Sequence, residues 1–400
     1  MSAAQGLAVR RFAPPRSAWA RLADRDGLLR RLDWPMLLAA LALSALSCVL
    51  VYSATRGRTG LTHGDPYYFL ERDILNTVIG VALAAGAVWA GHRALRGAVP
   101  VMYALSVLAT AAVLTPLGAT INGARSWIQL GGGFSVQPSE FTKITITLGM
   151  AILLARQVDT GERPHPGHRT VVQALGVAAL PVLVILLMPD LGSIMVLVVI
   201  VLAILLASGA PRRWILGLLG AGALGCVLIW QLGILDTYQI NRFAAFANPA
   251  FDPSGIGYNT KQARIAIGSG GLTGAGLFHG PQTTGQFVPE QQTDFVFTVA
   301  GEELGFLGAG AIILLLGVVL WRACRIAREA TDLYGTVTAA GIIAWFAFQS
   351  FENIGMTLGI MPVTGLPLPF VSYGGSATFA AWIAIGLLQS IKARRPLAPA

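Results

Sequence analysis

Charge is what this sequence has least of. Only 12% of its 400 residues are charged, too few to coat a soluble protein of that length, while hydrophobic residues make up 54%. Mean hydropathy is +0.66. Cysteine is nearly absent: Cys48 and Cys226 fall in different apolar runs and Cys324 at the end of another, without CxxC or Cys/His spacing. That argues against both a disulfide framework and a zinc site. His165 and His168 flank Pro166-Gly167 in a polar segment that reads as a solvated turn. No cleavable signal peptide is expected, because a long arginine-rich tail precedes a full-length first span.

What is present is a series of apolar runs of about 18–25 residues, the length that crosses a hydrocarbon core. They cover 34–54, 74–92, 98–117, 139–155, 171–188, 190–208, 212–232, 296–321, 335–360 and 374–391. The pattern predicts an all-α polytopic membrane protein of about ten transmembrane helices. One long extracytoplasmic loop is expected over about 233–295. Residues 1–33 form a basic cytoplasmic tail, 34–392 the transmembrane domain, and 393–400 a second cytoplasmic tail.

The net charge of +9 follows orientation rather than a nucleic-acid partner. With both termini cytoplasmic, 20 of the 28 Lys and Arg lie inside and seven outside, leaving Lys143 within a span. The joint at Pro189-Asp190 matters most to this count, since without a turn there everything downstream inverts; Pro189 and Gly192 supply the turn signal. The 233–295 loop carries Tyr238, Phe243, Phe246, Phe251 and Tyr258, and its stretch 258–267 reads as a short interfacial helix.

Several residues can carry chemistry. Glu140 and Lys143 stand three apart in the fourth span and share a helix face. An ionisable group there costs about 2.5–3.5 kcal/mol on the insertion scale, so each needs a reason. Either the two form a neutralised pair that fixes packing, or they wall a polar cavity in which Lys143 faces an anion. The preceding Asn122–Trp127 segment brings Arg125 and Trp127 to the same membrane surface, where a lipid-linked phosphate would sit.

Asp294, or Thr293 beside it, either caps the next helix or, in the case of Asp294, serves as a general base toward a sugar hydroxyl. The glycine-rich stretch 268–276 lacks the strand and the Gly-Lys-Ser/Thr ending of a P-loop and reads as a tight turn. Three prolines in 361–376 forbid helix, leaving either a rigid plug or a substrate-lining segment. Glu302, Glu303 and Glu352 need partners within the membrane, for which Lys261 and Arg264 are candidates.

Taken together, these segments resemble the RodA/FtsW family of peptidoglycan polymerases, the SEDS proteins, from about residue 34 to 392. The motifs are Asn122–Ile128, Gln137–Lys143, Pro189–Gly192, Ala266–Gly271, Thr293–Phe295 with Gly301–Gly305, and Pro367–Ser376. Gly276–Thr283 and Asn353–Gly359 look more like the elongation (RodA) branch than the division (FtsW) branch. The family usually has His before the Thr-Asp pair; here it is Gln292, which removes an imidazole from beside Asp294.

The resemblance implies an inverting glycosyltransferase of the bacterial cytoplasmic membrane that polymerises lipid II on its outer face. A lipid-linked glycan would be the donor and undecaprenyl diphosphate the leaving group. Asp294 would be catalytic, and Glu140 and Lys143 essential in the cavity. Substrate contacts are expected from Arg125, Trp127, Lys261, Arg264, Ser372 and Tyr373. A divalent cation, Mg²⁺ or Mn²⁺, is implied, as are a class B penicillin-binding transpeptidase and other elongation-complex membrane proteins as partners. Two other classes compete: a lipid II flippase, for which buried Glu and Lys would serve equally well, and a non-catalytic scaffold.

Overall fold

The computed structural model describes residues 27–62, 64–121, 124–131, 134–188, 190–233, 246 and 256–393. Tyr238, Phe243 and Phe251 of the long loop, with Asn122 and Pro189, lie outside the described residues.

The described chain is mostly helical. Its principal helices are α1 (Trp34–Thr55), α2 (Tyr68–Ala90), α3 (Val99–Ala112), α4 (Pro138–Asp159), α5 (His168–Leu186), α6 (Leu191–Ala207) and α7 (Arg212–Gln231). After these come α8 (Ile256–Ser269), α9 (Val296–Glu303), α10 (Gly305–Arg328), α11 (Leu333–Leu358) and α12 (Gly375–Ala393). Among the described residues, six helices are long and apolar enough to cross a bilayer: α1, α2, α4, α5, α10 and α12. The apolar helices α3 and α6 are shorter.

Three expectations are corrected. The third apolar run, expected over 98–117, stays helical only to Ala112. The following segment is no plain loop, so the fold is not all-α: β1 (Gly118–Ile121), β2 (Ala124–Gly131) and β3 (Phe134–Val136) form an antiparallel sheet in the order β1-β2-β3. Trp127 on β2 stands opposite Ala119 on β1. Finally, the run 296–321 is two helices, broken at Leu304.

The break has a tertiary cause. Gly305 has φ +66°, and a Cβ there would stand 2.3 Å from the Gly274 nitrogen. Only glycine fits that crossing. Ala275 N–H and Gly276 N–H donate to the carbonyls of Glu302 and Glu303, and Phe306 N–H and Leu307 N–H donate to those of Gly271 and Leu272. The glycine-rich stretch therefore serves close backbone packing.

Helix packing centres on α4 and α11, which lie against each other and against α6. α12 runs along α2 and α10 along α1. Small residues permit the α2–α12 approach: a Cβ on Gly386 would fall 2.5 Å from the Ala84 carbonyl oxygen. At the end of the bundle away from the sheet, buried Asp33 caps α1 and ties three helices together. Its carboxylate accepts from Arg322 on α10 at 2.6 Å and from Lys392 on α12 at 2.7 Å.

Candidate active site

At the sheet end, α4 opens with Pro138, whose missing N–H costs nothing in a first turn. Glu140 follows in that turn, where a carboxylate suits the helix dipole. Its Oε1 accepts from Lys143 Nζ at 2.7 Å, and both side chains are buried. The second Lys143 partner is Gln349 Oε1 at 2.9 Å, which also accepts from Trp345 Nε1 at 2.7 Å. Lys143 Nζ lies 4.9 Å from the centre of the Trp345 ring, a cation–π distance. The lysine is thus fully paired inside the protein, with its charge shared among a carboxylate, an amide and an indole.

α11 sets the rest. Trp345, Gln349 and Asn353 recur at intervals of four and line one helical face. That face meets the connector 359–374, where Pro362, Pro367 and Pro369 leave backbone carbonyls without helical partners. Gln349 Nε2 donates to the Pro367 carbonyl at 2.7 Å, and Asn353 Nδ2 to that of Leu366 at 2.7 Å. Asn353 Nδ2 also donates to the Asp294 carbonyl at 2.8 Å. One hydrogen-bonded chain therefore runs from Glu140 through Lys143, Gln349, the connector and Asn353 to Asp294.

Asp294 is half-buried, just before α9. The N-cap position of α9 is Phe295, whose side chain makes no cap hydrogen bond. The Thr293 hydroxyl donates to the carbonyl and carboxylate of Glu290. Gly365, at φ +76°, leaves open the space beside the Asp294 carboxylate: a Cβ there would come within 3.4 Å of Oδ2. The Gln292 side-chain amide donates to Glu290 Oε2 at 3.2 Å, and its backbone carbonyl accepts the Tyr373 N–H at 2.9 Å.

Other motif residues meet at the same connector. Asp190 caps α6 by accepting from Ser193 N–H at 3.0 Å, and its Oδ2 accepts from Gln137 Nε2 at 3.3 Å. Gln137 N–H donates to Ser376 Oγ at 2.9 Å. Gly192 has no room for a Cβ, which would fall 2.9 Å from Leu366 Cγ. Ser372 is buried and closes a tight turn, accepting the Leu368 N–H on its hydroxyl at 2.7 Å. Tyr373 packs edge-on against Phe69, with ring centres 5.0 Å apart. Burial pushes its phenol up to about 12, the nearby Arg72 notwithstanding, so it remains a neutral hydroxyl.

Three sequence-derived site residues lie elsewhere. Arg125 on β2 donates to the Thr115 carbonyl at 2.6 Å and takes no part in the chain just described. Lys261 and Arg264 are exposed on α8 and line a separate cavity of about 300 Å³ with Thr260 and Ile265. They are not the partners of Glu302 and Glu303. Glu302 accepts from the Gln282 and Thr283 N–H groups and the Thr283 hydroxyl, and Glu303 accepts from Ser53 Oγ at 2.6 Å. These carboxylates pin residues 282–283 and α1 to the α9–α10 break.

Sequence reasoning also missed residues. Gln349 and Trp345 were not singled out, although a glutamine four residues before an asparagine in an apolar run is a legible polar stripe. Asp73, buried in α2 and accepting from Ser47 Oγ at 2.8 Å, was missed as well. Among the described residues, no three His, Cys, Asp or Glu side chains gather as a metal site.

Comparison with known proteins decides the family. The model of the cell-cycle protein family FtsW/RodA/SpoVE matches residues 33–396. The chain belongs to the FtsW/RodA/SpoVE family. One relative, a probable peptidoglycan glycosyltransferase FtsW of Trichlorobacter lovleyi, is 34% identical over 380 residues, covering 93% of this chain and 96% of its own. The peptidoglycan glycosyltransferase MrdB of Escherichia coli is 34% identical over 366 residues, covering 92% and 95%. A chain from a solved peptidoglycan synthase complex, described as coordinating polymerization and crosslinking, superposes with a TM-score of 0.74 at 30% identity. That match covers 92% of this chain and 99% of the other. The FtsW/RodA/SpoVE frame accounts for a multi-pass helical membrane protein, and equal identity to FtsW and MrdB relatives leaves its branches level on that measure.

Proposed function

We propose that this chain is a peptidoglycan glycosyltransferase that polymerises lipid II at the outer face of the bacterial cytoplasmic membrane. It is read as crossing the bilayer ten times, with α9 and α10 together forming one crossing and both termini cytoplasmic. The distribution of Lys and Arg supports this orientation, which puts the sheet, α8 and Asp294 outside.

The observation that carries the proposal is the half-buried Asp294 carboxylate, whose backbone is held by Asn353 beneath the proline-rich connector. Glycosyl transfer needs a base as a sugar hydroxyl attacks the anomeric carbon. Asp294 takes that proton while the C–O bond to the diphosphate breaks. Attack on the face opposite the leaving group inverts the anomeric configuration. The lipid-linked glycan is donor, lipid II is acceptor, and undecaprenyl diphosphate departs. The departing charge needs cationic stabilisation. Lys143 reaches that charge only by exchanging a present partner for it, so its role in the resting state is to hold Glu140 and Gln349 in place.

Gly276–Thr283 and Asn353–Gly359 favour the elongation branch, and with it a role in rod-shape maintenance. A class B penicillin-binding transpeptidase is the proposed partner; one similar chain comes from a peptidoglycan synthase complex. The test is polymerisation of lipid II in detergent by the purified protein with that partner, comparing wild type with Asp294→Asn. Glycan strands from the wild type and their loss in the variant support the reading; equal polymerisation overturns the catalytic assignment. Lipid II crossing proteoliposome membranes without polymer formation would favour the flippase.

A further inference from the structure

Asp73 is a buried carboxylate that the proposed reaction does not use. It lies in α2 and is 1% exposed. Other buried carboxylates have strong partners: Asp33 meets Arg322 and Lys392, Glu140 meets Lys143, and Glu302 accepts two backbone N–H groups. Among the described residues, Asp73 meets neither a cation nor a backbone N–H. Its partners are the Ser47 hydroxyl, which donates to Oδ2 at 2.8 Å, and the Cys48 thiol, a weak donor. An ionised carboxylate held inside a span by so little is costly and calls for a compensating charge.

The oxygens beside it lack partners as well. The Ser47–Asp73 contact sets the register of α1 against α2, and consecutive crossings run in opposite directions. Ser44, one turn before Ser47, and Asn76, one turn after Asp73, therefore fall at the same depth. Both are buried, and neither Ser44 Oγ nor Asn76 Oδ1 has a hydrogen-bond partner among the described residues. α12 closes the third side. A Cβ on Gly375 would stand 3.4 Å from Asn76 Oδ1, and one on Gly80, a turn beyond Asn76, 2.7 Å from Trp382 Cδ1. That carbon is bonded to Nε1, the third unpartnered polar atom of this corner.

We propose that Asp73, Ser47, Ser44 and the Asn76 amide oxygen bind a monovalent alkali cation between α1, α2 and α12. All four offer hard oxygen ligands, the kind such an ion takes. One carboxylate balances one positive charge, whereas a divalent ion would bring an excess charge into the bilayer. Trp382 Nε1 is a donor and cannot touch the cation; it donates to a water in the ion's shell. The ion ties three helices together and removes the cost of the buried carboxylate. This site goes beyond the glycosyltransferase reading and does not depend on it.

The test uses the full-length protein in detergent, with radioactive Na⁺ and Rb⁺ as probes and choline chloride holding the ionic strength constant. Scintillation proximity should show saturable binding of at least one probe, displaced by its unlabelled salt. Asp73→Asn should abolish that binding, and Ser44→Ala and Asn76→Ala should each weaken it about tenfold or more. Replacing choline by the bound cation should raise the wild-type thermal midpoint by about 2 °C or more and leave that of Asp73→Asn unmoved. In choline the variant should be at least as stable as the wild type, because the amide removes a buried charge. Should Asp73→Asn fail to fold, binding by Ser44→Ala and Asn76→Ala decides. No saturable binding by the wild type, or binding unchanged in the variants, overturns the site. So does a wild-type midpoint that responds to pH but not to the alkali cation, which would mean that Asp73 holds a proton instead.

Discussion

The side-chain amide of Asn353 donates to two backbone carbonyls at once, that of Asp294 at 2.8 Å and that of Leu366 at 2.7 Å. A helix, the proline-rich connector and the segment carrying Asp294 are therefore fixed by one fully buried group. Replacing Asn353 by Leu keeps its size but frees both carbonyls, each of which costs about 1–3 kcal/mol if left unsatisfied. Polymerisation should fall about tenfold to a hundredfold as Asp294 loses its position. Polymerisation rate measured beside the thermal midpoint checks this. An unaltered rate would show that Asn353 does not position the carboxylate.

Lys143→Met strands Glu140 in a buried site. Removing one partner of such a pair costs about 3–5 kcal/mol, whereas removing both charges is far milder. The double variant Glu140→Gln/Lys143→Met should recover most of the stability lost by the single one. Thermal unfolding in detergent measures both. If activity stays low while stability returns, the pair has a role beyond packing.

Membrane-length helices were legible because bilayer thickness dictates helix length, and the ends of α1, α11 and α12 fall within two residues of the runs that announced them. The sheet was not. Arg125 and Trp127 lie on a strand of eight residues, too short and too polar to stand out between two spans. The break at Leu304 was equally hidden, since 296–321 reads as one apolar run and the cause is a backbone 30 residues earlier, at Gly274. Of the site, the charged residues were visible individually. Their links were not, because Gln349 and Asn353 act on carbonyls that a proline-rich connector exposes only once it is folded.

Gly305→Ala tests the origin of that break. Its φ of +66° and the 2.3 Å approach to Gly274 both oppose a side chain. The substitution should destabilise the protein by about 1–3 kcal/mol. Limited proteolysis should then open the 268–287 loop faster than in the wild type; unchanged cleavage would mean the loop docks without the break.

Asp33 supplies a pH dependence. Burial alone would raise its carboxyl, but hydrogen bonds from Arg322, Lys392 and the Met36 N–H outweigh burial and hold it below the ordinary carboxylate range. A group depressed in the folded state stabilises above its unfolded value, about 3.9, and that stabilisation disappears as pH falls through the folded value. The stability gap between wild type and Asp33→Asn should therefore be constant from neutral pH to about pH 5 and shrink below about pH 4. Thermal midpoints across pH 3–7 check it. A gap that instead widens on acidification would contradict the sign.

Asp294→Asn bears most directly on the central claim, because it keeps the side chain's size while removing its ability to take a proton. Purified with its transpeptidase partner and supplied with lipid II, the variant should make glycan strands at least about a hundredfold more slowly than the wild type, with its thermal midpoint unchanged. Polymerisation at the wild-type rate would contradict the account.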